Sequence, residues 1–121
     1  MRAGANSARR PPALLDAGEA ADLKKLTRQA REAAQLLKTL GNEKRLLILC
    51  FLAARGEMTV GEIVAVVKLS QSALSQHLGK LRADGLVAFR RNSQTLHYRV
   101  VDPRAFQILR MLKQLYCSDL K

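Results

Sequence analysis

Tryptophan is absent, and aromatic residues make up only 4% of the chain. So little aromatic surface leaves few platforms on which unpaired bases can stack, which disfavours single strands and RNA loops as ligands. Cysteine occurs only twice, as Cys50 and Cys117, 67 positions apart. No apolar leader block lies near the start, so the two are expected as free thiols in a reducing cytoplasm rather than as a structural disulfide. Long apolar runs are missing too. The longest, Leu46 to Ala54, has nine residues, against about 20 for a membrane-spanning helix. A soluble, cytoplasmic protein with no membrane partner is expected. Phosphate-cradling glycine loops, nucleophile elbows and clustered metal ligands are likewise absent, which argues against an enzyme and against a bound cofactor.

Acidic residues are the last scarcity: 10 Asp plus Glu face 21 Lys plus Arg, a formal charge of +11. Such an excess favours a polyanionic partner, and with stacking disfavoured that partner is double-stranded DNA. The charge alone would also suit a non-specific architectural DNA-binding protein, which would bind without a preferred operator. The chain's 121 residues, 48% of them hydrophobic, suffice for one packed core without staples.

Residues 1–20, with Arg2, Arg9, Arg10 and the Pro11-Pro12 pair, carry no periodicity that could bury a face and are expected to be a disordered basic tail. Residues 21–121 are expected to form the single domain. Leu23, Leu26, Ala30, Ala33, Leu37 and Leu40 recur at helical spacing from Asp22 to a stop at Gly41. A second helix, Glu43 to Arg55, is apolar nearly all round and ends at Gly56. Thr59 and Glu62 form a capping box for a short helix over Val60–Val67, and after a turn at Lys68 and Leu69, Ser70 caps the next helix. That helix keeps Ala73, Leu74, Leu78 and Leu81 inside and presents Gln71, Ser72, Ser75, Gln76, Lys80 and Arg82; Asp84-Gly85 ends it.

Two helices joined by a tight turn, the second with a small polar outer face, make a helix-turn-helix. Gln can pair with adenine, Ser can reach base edges or phosphates, and Lys neutralises phosphate. Alternating runs at Leu86–Arg91 and Thr95–Val100 then predict a hairpin, with Asn92 expected in the left-handed turn conformation and Arg90 and Arg91 at its tip. Between Thr59 and Val101 six bases outnumber two acids, so the basic footprint falls on this unit. Asp102-Pro103 opens a last helix to Cys117. Its apolar width exceeds what a small core needs, so Leu109, Leu112 and Tyr116, together with Leu26 of the first helix, are expected at a dimer interface.

The element order, with the run SQSALSQHLGKLRADGLVAFRR, resembles the ArsR/SmtB family of winged-helix repressors over about residues 22–117. The pattern Ser70, Ser72, Ser75, His77, Leu78, then Leu81, Gly85, Leu86, Val87, the arginine pair and Tyr98, occurs in order. The resemblance implies a mostly α fold with a small β-hairpin wing, and a homodimer that binds operator DNA and releases it on sensing an inducer. It assigns DNA contact to Ser72, Ser75, Gln76 and His77, with Arg90, Arg91 and Asn92 in the wing; Asn92 stands where a glycine is common. Where thiolate-binding members have two cysteines this chain reads Glu62-Ile63-Val64-Ala65-Val66, and Asp102 is followed by no His or Glu through Cys117, so both of the family's metal sites are missing. Cys50 and Cys117 instead match the dithiol subgroup, whose inducers are sulfane sulfur or oxidants. Cys117 is expected to be attacked first and Cys50 to resolve. A Cu(I)-type sensor using the same two thiolates is the alternative within the family.

Overall fold

A computed structural model describes residues 11–13 and 20–117. The expected basic tail lies mostly outside the described residues, as do the last four residues. Among the described residues five helices and three strands follow in order: α1 (Ala20–Leu40), α2 (Glu43–Arg55), β1 (Met58–Thr59), α3 (Val60–Val67), α4 (Gln71–Ala83), β2 (Val87–Asn92), β3 (Thr95–Val100) and α5 (Pro103–Cys117). The chain divides into two compact units within α1, one ending at Ala33 and one beginning at Ala34. In the first unit α1 starts at Ala20, two residues before the expected Asp22, and its Leu23 and Leu26 are exposed.

The second unit holds the core. α2 contributes Ile48, Leu49 and Leu52, α3 Ile63 and Val67, α4 Leu74, Leu78 and Leu81, and α5 Ala105 and Leu109, all of them buried. Each such leucine or isoleucine contributes about 1.5–3 kcal/mol by leaving water. Local signals fix the helix ends. Asn42 accepts from the Arg45 amide at the start of α2, and Gly56 closes it with φ 86°. Thr59 and Glu62 satisfy each other's backbone amides at 3.2 and 2.8 Å, and Ser70 accepts from the Ala73 amide. Asp102 accepts from the amides of Arg104 and Ala105. Lys68, the C-cap of α3, adopts φ 57°, which gives the turn between α3 and α4 its sharp reversal.

The sheet is antiparallel in the order β1-β3-β2. β1 is a two-residue strand that the sequence pattern does not announce; it pairs Met58 with Tyr98 and Thr59 with His97. β2 pairs Asn92 with Thr95, leaving a two-residue turn of Ser93 and Gln94. The left-handed residue of the wing is therefore Ser93, at φ 61°, and not Asn92, which belongs to the strand. A two-residue hairpin loop needs positive φ at its first central position, and the register puts Ser93 there.

Candidate DNA-binding face and cysteine pair

The helix-turn-helix leaves one side of α4 open. Leu74, Leu78 and Leu81 anchor its inner face, so at 3.6 residues per turn Gln71, Ser72, Ser75 and Gln76 point outward, and all four are exposed. Ser72 lies 3.4 Å from the N-cap hydroxyl of Ser70. Lys80 is exposed at the far end of the face and sits 3.5 Å from Asp84. This surface can offer amide and hydroxyl groups to base edges without first breaking a strong internal contact. His77 departs from the set: it is half-buried, and burial together with the Arg45 cation holds its imidazole below the usual range. It belongs more to the seam between α4 and α2 than to the open face.

The wing differs from the expectation in a second way. Alternation places Arg90 and Arg91 on opposite faces of β2. Arg90 shares its face with His97 and makes a bidentate ion pair with Glu57, at 3.0 and 2.9 Å. His97 Nδ1 lies 3.9 Å from the same carboxylate, and the hydrogen bond from Arg90 holds the Glu57 carboxyl below the usual range. Arg90 thus ties the wing to the α2–β1 connection and is not a free cation at the tip. Arg91, one residue nearer the turn, is exposed and has no ion-pair partner among the described residues. On the core face, Phe89 packs 5.3 Å from Tyr98, and Arg82 of α4 stacks over Phe89 at 4.6 Å. The wing root is fastened to the reading helix by that stack.

The cysteines sit on two packed helices, α2 and α5. Both are free thiols, Cys50 half-buried and Cys117 exposed. Burial pushes the Cys50 thiol up, and negative charge on Cys117 pushes it further. That second influence acts between the thiols of two helices that pack against each other. Arg110, Lys113 and Gln114 line a shallow pocket with Cys117. Among the described residues no three His, Cys, Asp or Glu side chains gather as a metal site, and no helix is long and apolar enough to cross a membrane.

Of the residues expected at a dimer interface, Leu109 is buried in the protomer's own core, 4% exposed, because it faces α2. Helical spacing puts it in line with Leu112 and Tyr116 but does not say which neighbour covers it. Leu112 is half-buried, while Tyr116 is exposed, as are Phe106, Met111 and Leu115 of the same apolar width.

Residues 42–88 match the family described as "Bacterial regulatory protein, arsR family". The transcriptional activator HlyU of Vibrio cholerae is 42% identical over 84% of this chain and 93% of its own length. The biofilm growth-associated repressor of Xylella fastidiosa is 38% identical over 79% and 83%. Among solved structures, reduced HlyU from V. cholerae superposes with a TM-score of 0.73 at 42% identity, covering 78% of this chain and 98% of that one. The repressor BigR from X. fastidiosa gives 0.72 at 38%, covering 78% and 95%. The helix-turn-helix with its open polar face, the three-stranded wing and this agreement over nearly the full length of its relatives lead to one conclusion: the chain is a winged-helix transcriptional regulator of the ArsR family.

Proposed function

We propose that the protein is a homodimeric repressor that holds operator DNA through α4 and the wing, and releases it when Cys50 and Cys117 are bridged by sulfane sulfur or by oxidation. The observation that carries the sensing half is that the two cysteines lie on helices packed against each other, α2 and α5, and the charge of Cys117 acting on Cys50 supports the same reading. Their unequal exposure supports an order of events. The Cys117 thiolate attacks the sulfane sulfur of a hydropersulfide RSSH and RS⁻ leaves. The Cys50 thiolate then attacks the inner sulfur of the Cys117 persulfide and HS⁻ leaves. Both cysteines are oxidised, by two electrons in total, and RSSH is reduced to RSH and H₂S. A second RSSH, reduced to a second RSH, leaves one extra sulfur atom in the bridge. Cys50 is the slower nucleophile at neutral pH because burial disfavours its thiolate.

A bridge ties the helix that carries much of the core to the last helix. α5 exposes Met111, Leu115 and Tyr116, a surface suited to a second copy of this chain, and Leu23 and Leu26 of the first unit are exposed as well. Two-fold pairing presents two copies of α4 to half-sites about 34–36 Å apart. A bridge that shifts this pairing lowers operator affinity, with typical coupling of about 1–3 kcal/mol. V. cholerae HlyU has a structure described as reduced, so a redox state is distinguished in that relative.

The test is intact-mass analysis of the reduced protein after glutathione persulfide, peroxide or Cu(I), paired with operator release by Cys50→Ser and Cys117→Ser. Both variants are expected to bind operator when reduced and to ignore persulfide. A Cys117→Ser protein that still releases DNA on persulfide treatment leaves the cysteines as packing residues.

A further inference from the structure

Thr39 is the single buried polar side chain among the described residues, 1% exposed. It lies at the end of α1, within the second unit. Its hydroxyl donates to Asp84 Oδ2 at 2.6 Å, across 45 positions, and accepts from Gln35 Nε2 at 3.5 Å. Its carbonyl accepts from Arg45 Nε at 3.0 Å. Asp84 is the C-cap of α4, its carboxyl held below the usual range first by the Thr39 hydroxyl and then by Lys80. One residue therefore joins three helix ends: its hydroxyl links the end of α1 to the end of α4, and its backbone carbonyl links it to the start of α2.

A valine of similar shape would fill the site but leave Asp84 without its shortest hydrogen bond. Asp84 Oδ2 is shared between the Thr39 hydroxyl at 2.6 Å and the Lys80 ammonium at 3.5 Å. While Thr39 holds that oxygen at the shorter distance, the end of α4 stays fixed against the end of α1, and Lys80 shares its counter-charge with a competing donor. Without the hydroxyl the carboxylate keeps Lys80 and the Gln35 amide but loses its shortest contact, and the anchor of the helix end is weakened.

We propose that Thr39 is a positioning residue for DNA recognition, its hydrogen bond to Asp84 fixing the C-terminal end of α4 and keeping Lys80 available to phosphate. The inference rests on the reading of α4 as the DNA-contacting helix, and Gln76→Ala tests that reading separately. If Gln76→Ala leaves sequence preference intact, the reading of α4 has failed, whatever Thr39 does.

The experiment measures operator affinity of the reduced full-length protein by fluorescence anisotropy over a salt series, well below the melting temperature. Thr39→Val is expected to weaken operator binding by roughly five- to tenfold, the scale of a coupled pair of contacting residues. Thr39→Ser, which keeps the hydroxyl, is expected to stay within about twofold of wild type. Asp84→Asn keeps an acceptor for Thr39 but removes the charge opposing Lys80, so it is expected to tighten binding at low salt. Opposite signs for Thr39→Val and Asp84→Asn are what a merely structural contact would not produce. Wild-type affinity in Thr39→Val, or equal losses in Thr39→Val and Thr39→Ser, overturns the proposal. Should Thr39→Val fail to fold, Asp84→Asn decides alone, and weakened binding by that variant overturns it.

Discussion

The open face of α4 and the wing are both polar and both face outward, yet they are built on opposite plans. On α4 the outward residues, Gln71, Ser72, Ser75 and Gln76, are exposed and make no strong contact with the rest of the protein. In the wing, Arg90 is committed to Glu57 by two hydrogen bonds, and Phe89 to Tyr98 and Arg82. A helix can leave its outer face free because its own backbone and buried leucines hold it. A two-stranded extension has no such support, and in isolation would be marginal. The wing therefore uses part of its basic complement to hold its own place, while Gln71, Ser72, Ser75 and Gln76 stay uncommitted on the open face of the helix.

The largest effect that separates the two plans lies within α4 itself. Leu78→Ala should lower folding stability by about 2–5 kcal/mol, since Leu78 is 2% exposed in the core and its truncation leaves a cavity. Gln76→Ala, two positions away on the open face, should leave the chemical-denaturation midpoint within error. Its effect belongs to DNA: about 1–3 kcal/mol of operator affinity, with relaxed preference at one base pair. Equal weakening on operator and random DNA would show that this face does not read sequence.

The wing arginines give the next contrast. Arg91→Ala should weaken all DNA binding and reduce the salt slope by about one, as for loss of one phosphate contact. Arg90→Ala should change the slope by less, because its charge is already opposed by Glu57. Its exposed ion pair adds little to stability because solvent screens it. If Arg90→Ala reduced the slope as much as Arg91→Ala, Arg90 would have to leave Glu57 on binding, and the wing would not be held in the way its free structure indicates.

What the sequence made legible follows from range. Helix caps involve residues three apart, so Thr59, Ser70 and Asp102 could be assigned without knowing the fold, and the helix-turn-helix follows from them. Contacts between distant residues were not legible. Nothing local pairs Arg90 with Glu57, 33 positions away, or Thr39 with Asp84, 45 away. β1 is too short to show alternation, although it completes the sheet beside β3. Leu109 illustrates the same limit from the apolar side: spacing defines a helix face, while tertiary packing decides whether that face meets its own core or another surface.

His77 offers the smallest effect and the finest distinction between the open face and the seam. Burial and the Arg45 cation hold its imidazole below the ordinary value, so the unfolded chain takes up a proton at higher pH than the folded one. Stability therefore rises with pH across the window between the lowered value and the ordinary one near 6.5, and is lost as pH falls through that window. Glu57 and Asp84 do not obscure this, because their carboxyls are held below the carboxylate range and give up their stabilisation only at more acid pH. His77→Gln should flatten the melting temperature between about pH 7 and 5.5 while leaving the acid limb in place. A solvent-facing DNA contact would titrate alike in both states and give no such change. An unaltered melting profile in that variant would return His77 to the open face with Gln76.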